Sequence, residues 1–203
     1  GGAEIYSMTD ETEIVMSSCR LTNGIEALLR VRSTQLADGK NAIAIESSYS
    51  GSGIVTDLLT VRNGQLQNIT MDESAGVSSG TIRSYSVYCR DINGDGVLDI
   101  PVLVSLPSFS ENVSYYMIEW YSYYSTGAMA HICTTYNNTS DNWYMVLPDD
   151  WIGNITVRRE SSNSGERSII FSKVDEEGRN SGDFLAIYAL TGDNRAERAT
   201  YAD

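Results

Sequence analysis

Apolar and polar residues alternate with a period of two along most of the chain, and this pattern predicts strands rather than helices. AEIYSM and EIVMSS stand on either side of TDET and predict a leading hairpin over residues 3–19. VRSTQL, NAIAIESS, IVTDLLTVR and QLQNIT follow, separated by ADGK, YSGSG and NG, and predict an antiparallel meander over residues 30–70. Asn63-Gly64 lies between two alternating runs, where a two-residue turn needs positive φ at both positions. The pattern recurs over residues 84–136 as SYSVYC, LDIPVLVSL, VSYYMIEWYSYY and AMAHICTTY. It returns less regularly over residues 142–203 as NWYMVL, ITVRRE, RSIIFSKV, DFLAIYAL and ERATYA. Helical periodicity is weak: Val31 pulls TNGIEALLRVR towards strand, and SAGVSSGTIR reads as a loop or short helix. The expected fold class is all-β. Consecutive four-stranded antiparallel meanders form a single propeller-like domain over residues 1–203, with about three and a half blades. Closed propellers have roughly four to eight blades, so this one is expected to be partial or open, with unpaired edges that favour self-association.

Candidate chemistry concentrates in DINGDGVLDI, residues 91–100. Asp91, Asn93 and Asp95 take alternate positions, Gly96 follows where a sharp turn needs positive φ, Val97 offers a backbone carbonyl, and Asp99 closes the series. Calcium takes six to eight hard oxygen ligands, and this spacing supplies such donors. An EF-hand would place a glutamate where this chain has Val102, and no helix is predicted on either side, so the loop is of another kind. ADGKNAIAIESS overlays GDGVLDIPVLVS, with Asp38 and Gly39 on Asp95 and Gly96 and Ile43 on Ile100. Thr34, Leu36 and Ala42 stand where Asp91, Asn93 and Asp99 stand in the second copy, so the first copy is the same turn without its ligands. The expectation is one structural calcium ion per chain, held by Asp91, Asn93, Asp95, Val97 and Asp99, and none around Asp38.

The aspartate-rich loop between two predicted strands resembles the calcium loops of FG-GAP and VCBS-type propeller repeats. A wider likeness rests on GSGIVTDLLTVRNGQLQNIT, YSVYCRDINGDGVLDIPV, NWYMVLPDDWIGNITVRR, SGERSIIFS and YALTGDNR. In that order these segments resemble the C-terminal part of uncharacterised secreted lipoproteins of Clostridia. The resemblance implies an extracellular, cell-surface protein of bacterial origin, whose signal, lipid anchor and further aspartate-rich repeats lie upstream of Gly1. It implies no particular activity.

Other constellations narrow the function classes. The net charge of −13 leaves no basic stripe, which argues against nucleic acid and against anionic membrane surfaces; membrane attachment is expected only through a lipid anchor outside this chain. No apolar run is long enough to span a bilayer as a helix. Cys19, Cys89 and Cys133 are odd in number and are expected to be mostly free and buried. His131 and Cys133 share a strand face but have no evident third group to orient them as a catalytic pair. YYMIEWYSYY is tempting as a sugar-stacking platform, yet reads more simply as a strand buried on both faces. Asp149-Asp150 and Glu176-Glu177 fall in turns and read as solvated, and the boxes expected of a sialidase are missing. The expected function is a non-catalytic, calcium-stabilised module that binds or scaffolds an unknown protein or carbohydrate ligand. The alternative is a carbohydrate-active hydrolase or sugar-binding domain with its site on blade loops.

Overall fold

A computed structural model describes residues 1–9, 12–107, 114–162 and 165–200. Its described residues are all-β, with one four-residue helix, α1 (Arg195–Arg198). The strands run as β1 (Gly2–Thr9), β2 (Thr12–Arg20), β3 (Ile25–Gln35), β4 (Asn41–Tyr49), β5 (Gly53–Arg62) and β6 (Gln65–Asn68). They continue as β7 (Ile100–Ser105), β8 (Tyr116–Tyr123), β9 (Met129–Asn138), β10 (Trp143–Leu147), β11 (Ile155–Ser161), β12 (Glu166–Val174) and β13 (Asn180–Leu190). Consecutive strands pair antiparallel in sheets ordered β1-β2, β3-β4-β5-β6, β10-β9-β8-β7 and β11-β12-β13.

The chain divides into two compact units, Gly1–Leu103 with Ile118–Cys133 and Val104–Met117 with Thr134–Asp203, so β7, β8 and β9 each contribute residues to both. In the first unit β4 and β5 are buried on both faces. Leu36, Ala42, Ala44, Leu58, Cys89, Leu98, Ile100 and Tyr123 form one cluster, and the hairpin β1-β2 meets Ile45, Leu59 and Leu66 on the opposite face through Ala3, Ile5, Cys19 and Leu21. The tight turn at Asn63-Gly64 has φ of 53° and 75°, as the hairpin signal requires. In the second unit Phe171 is fully buried and Tyr136 packs on it edge-to-face, 5.2 Å between centroids.

Three strand assignments differ from expectation. SYSVYC, residues 84–89, alternates as a strand would, with Val87 and Cys89 buried, but it joins no sheet. Side chains satisfy its backbone instead: Arg83 Nε donates to the Val87 carbonyl (2.6 Å), Glu46 accepts from the Cys89 amide (2.8 Å), and Arg32 donates to the Cys89 carbonyl (3.4 Å). The second four-stranded sheet is therefore completed from the other end. NWYMVL, expected in the last unit, folds back on β9 as β10, with Trp143 opposite Asn138. The last sheet keeps three strands, because ERATYA enters α1 and its final residues lie outside the described ones. YYMIEWYSYY forms interior strand β8, and Met117, Ile118, Trp120 and Tyr123 are buried, which accounts for its aromatic content by packing. Pro101 lies on β7, an edge strand, where a missing N–H is tolerated.

Candidate metal centre

The loop at residues 91–98 is closed by an antiparallel bridge between Arg90 and Asp99, with Arg90 N–H on the Asp99 carbonyl (3.1 Å) and Asp99 N–H on the Arg90 carbonyl (2.8 Å). It leads into β7 from an unpaired segment, so it opens a sheet; the expected place between two blade strands is not where it lies. Gly94 and Gly96 have φ of 80° and 85°, which brings successive backbone amides onto one side of the loop. The Asp91 carboxylate collects them. Oδ1 accepts from Gly94 (2.7 Å) and Asp95 (3.0 Å), and Oδ2 accepts from Gly96 (2.8 Å). These bonds, that from Gly96 foremost, hold the Asp91 carboxyl below its usual range.

Asn93 and Asp95 meet at the exposed rim, where Asn93 Nδ2 donates to Asp95 Oδ2 (2.9 Å). Asp95 Oδ1 accepts from the Val97 amide (2.8 Å). Asp99 is buried. Its Oδ2 accepts from the Ile92 amide (3.0 Å), and its Oδ1 accepts from the hydroxyl of Ser122 on β8. Burial raises the Asp99 carboxyl above its usual range, and the charges of Asp95 and Asp91 push in the same direction. Asp91, Asn93, Asp95, Val97 and Asp99 thus belong to one closed loop. Among the described residues no three or more His, Cys, Asp and Glu side chains converge as a ready-made ion cage. The donor set is nonetheless all oxygen, and a carboxylate oxygen that accepts one or two hydrogen bonds retains lone-pair capacity for a hard cation.

The turn between β3 and β4, where the degenerate copy lies, is spent on packing. Leu36 and Ala42 enter the same core as Leu98 and Ile100. Thr34 Oγ1 accepts from the Leu98 amide (3.2 Å), Gln35 bridges Val97, and Asp38 accepts from the amide and hydroxyl of Ser125. Two grooves flank the loop. One of about 470 Å³ runs between β3 and the loop, past Arg32, Thr34, Asp91 and Val97. The other, about 700 Å³, is mostly apolar and is lined by Ile5, Ala42, Ile43, Leu59, Val61 and Leu66. Gly96 stands in the wall of both.

Spacing in the sequence gives no sign of Ser122 or of two buried carboxylates elsewhere in the unit. Asp57 accepts from the Thr22 amide (3.0 Å) and hydroxyl (2.7 Å), Asn68 Nδ2 (2.8 Å) and the Ser78 hydroxyl (2.6 Å). Glu46 pairs with Arg83 at 2.7 Å with both side chains buried. The available signal was an acidic residue inside an apolar strand, as in IVTDLLTV. His131 is exposed and meets the edge of Tyr121, 5.5 Å between centroids, while Cys133 packs beside Ile118 and Trp120. Burial, with Asp99 adding, pushes the Cys133 thiol up, away from a reactive thiolate. Asp149, Asp150, Glu176 and Glu177 are exposed in turns. Compared with known proteins, the chain matches no family model, no curated sequence and no solved structure.

Proposed function

We propose that the protein is a non-catalytic, calcium-stabilised binding or scaffolding module of propeller-like meanders, similar to FG-GAP and VCBS repeats and working outside the cell at a bacterial surface. The observation that carries this reading is the position of the 91–99 loop. Its turn at Gly96 forms part of the wall of both grooves, so a cation that fixes the loop also fixes the surface a ligand would meet. Asp91, Asn93 and Asp95 would supply side-chain oxygens, Val97 its carbonyl, and Asp99 the buried anchor. The cation would neutralise the carboxylates that otherwise repel one another, which is the charge Asp99 already registers from Asp91 and Asp95. The larger groove is mostly apolar, with polar groups such as Ser33, Asn41 and Thr60 in its lining, and is of the kind that receives a ligand.

Thermal unfolding with and without calcium tests the reading. Calcium at about 100 times its dissociation constant should stabilise the native state by roughly 2.7 kcal/mol. Asp95→Ala should abolish that gain while leaving the melting temperature in chelator near that of the wild type. Calorimetry should count one ion per chain. An identical melting temperature in calcium and in chelator would refute the calcium reading, and a gain matched by magnesium or sodium at equal ionic strength would reduce it to screening.

A further inference from the structure

The two longest edge strands among the described residues, β3 and β13, are treated very differently. β3 carries register shifts between Ile25 and Ala27 and between Leu28 and Arg30. Its Arg30 lies over the Tyr88 ring at 3.5 Å and its Arg32 reaches the Cys89 carbonyl, so a neighbouring segment is held along it. Bulges and charges of this kind keep foreign strands off an edge. In β13 the irregularities are confined to the first half, where the pairing with β12 shifts between Phe171 and Ser172 and again between Lys173 and Val174. From Leu185, opposite Phe171, to Leu190, opposite Glu166, the register is unbroken. That stretch reads LAIYAL, with no charge, no proline and no glycine. Among the described residues β12 is its only strand neighbour.

Backbone alternation says which groups face outward. The Thr191 amide donates to the Gly165 carbonyl at 2.9 Å, which sets the phase of the ladder. Ala189, Ile187 and Leu185 then direct their N–H and C=O groups towards β12, and Ala186, Tyr188 and Leu190 direct theirs away from it. No described residue pairs with those three outward positions.

We propose that this edge pairs with the same edge of a second copy of the chain, antiparallel, about a two-fold axis at Ile187. In that register the outward groups of Ala186 meet those of Tyr188 of the second copy, and the pair and its symmetry mate exchange their N–H···O bonds. The side chains are self-complementary. Tyr188, 45% exposed, lies opposite the exposed Ala186 of the other copy, and Leu185 lies opposite Ala189. Asp183 falls opposite Thr191, so no like charges are opposed. On the axis Ile187 faces its own copy and Phe184 falls opposite Leu190, apolar cross-strand pairs of the kind that stabilise a sheet. Self-pairing is favoured over a charged partner strand because the segment carries no charge of its own for such a partner to meet. The interface is short, so the dimer is weak, and it tightens with salt as repulsion between the two copies is screened. The proposal does not depend on calcium binding at the 91–99 loop.

Sedimentation equilibrium between about 5 and 500 µM should show a monomer–dimer equilibrium that strengthens from roughly 0.05 to 0.5 M salt. Ala186→Lys with Tyr188→Lys places lysines opposite lysines and should give a monomer, as should Ala186→Glu with Tyr188→Glu. Mixing the two double variants should restore a dimer. In the wild type, amide exchange at Ala186, Tyr188 and Leu190 should slow as concentration rises. A wild-type monomer throughout that range overturns the proposal. So does a dimer in which the lysine variant self-associates as well as the wild type, or exchange at those amides that ignores concentration.

Discussion

Arg83 is fully buried, and each part of its guanidinium has a task. Nε holds the Val87 carbonyl, Nη1 holds the Thr81 carbonyl and the Thr56 hydroxyl at 3.0 Å each, and Nη2 holds Glu46 Oε1. Glu46 Oε1 also accepts the Cys89 amide, while Oε2 is buried with no partner among the described residues. The pair thus stands in for the strand neighbour that residues 84–89 lack. Its value lies less in mutual attraction than in what is orphaned when one member goes, because an unpaired buried charge has neither solvent nor counter-ion. Arg83→Met should cost about 3–5 kcal/mol in urea unfolding. Arg83→Met combined with Glu46→Leu should cost clearly less, since nothing charged is then stranded. Equal losses in the single and double variants would mean that the backbone bonds to Val87 and Thr81 carry the whole effect.

At the scale of the element, the aspartate loop holds two carboxyls whose surroundings move them in opposite directions. Asp91 is lowered by amide hydrogen bonds, so its contribution to stability is present above the unfolded pKa and is lost as pH falls through the folded one. Asp99 is raised by burial, so its ionised form is penalised in the fold above its folded pKa, and that penalty vanishes as it protonates. A cation favours the ionised form of both. The calcium-dependent gain in melting temperature should therefore shrink as pH falls through the raised pKa of Asp99, above the ordinary aspartate value of about 3.9. Ser122→Ala removes a donor to the Asp99 carboxylate and should move that loss to higher pH. A gain that stays constant down to the ordinary aspartate range would exclude Asp99 as a ligand. The spacing from Asp91 to Asp99 was legible in the sequence because a loop's donors are local. Ser122 was not, because it arrives from β8. The same division explains the strands. β3 to β6 follow their period-two runs and short turns, whereas the alternation of residues 84–89 reports burial alone and is silent about what pairs the backbone. β10 joins a different sheet from the one its pattern predicts for a related reason: hydrophobic pattern identifies a strand, but the short TSDN turn after β9 decides which neighbour it joins.

Across the whole molecule, the cysteines share one property although they sit in different surroundings. Cys19, Cys89 and Cys133 are all unbridged. Burial raises each thiol, Cys89 to about 12, where the desolvation outweighs the favourable charge of Arg83. Native protein should therefore react slowly with a thiol reagent at pH 8, Cys89 slowest of all, and the unfolded chain should titrate as three thiols. Fewer than three on unfolding would reveal a bridge. At a pKa of about 12 only roughly one Cys89 in ten thousand is a thiolate at pH 8. Oxidants and disulfide-exchange partners act on that small fraction, so the fold shelters Cys89 from cross-linking, and the half-buried Cys19 and Cys133 less so. In oxidising surroundings the durability of the chain is then set by the half-buried Cys19 and Cys133, with Cys89 reached only when the core around it opens.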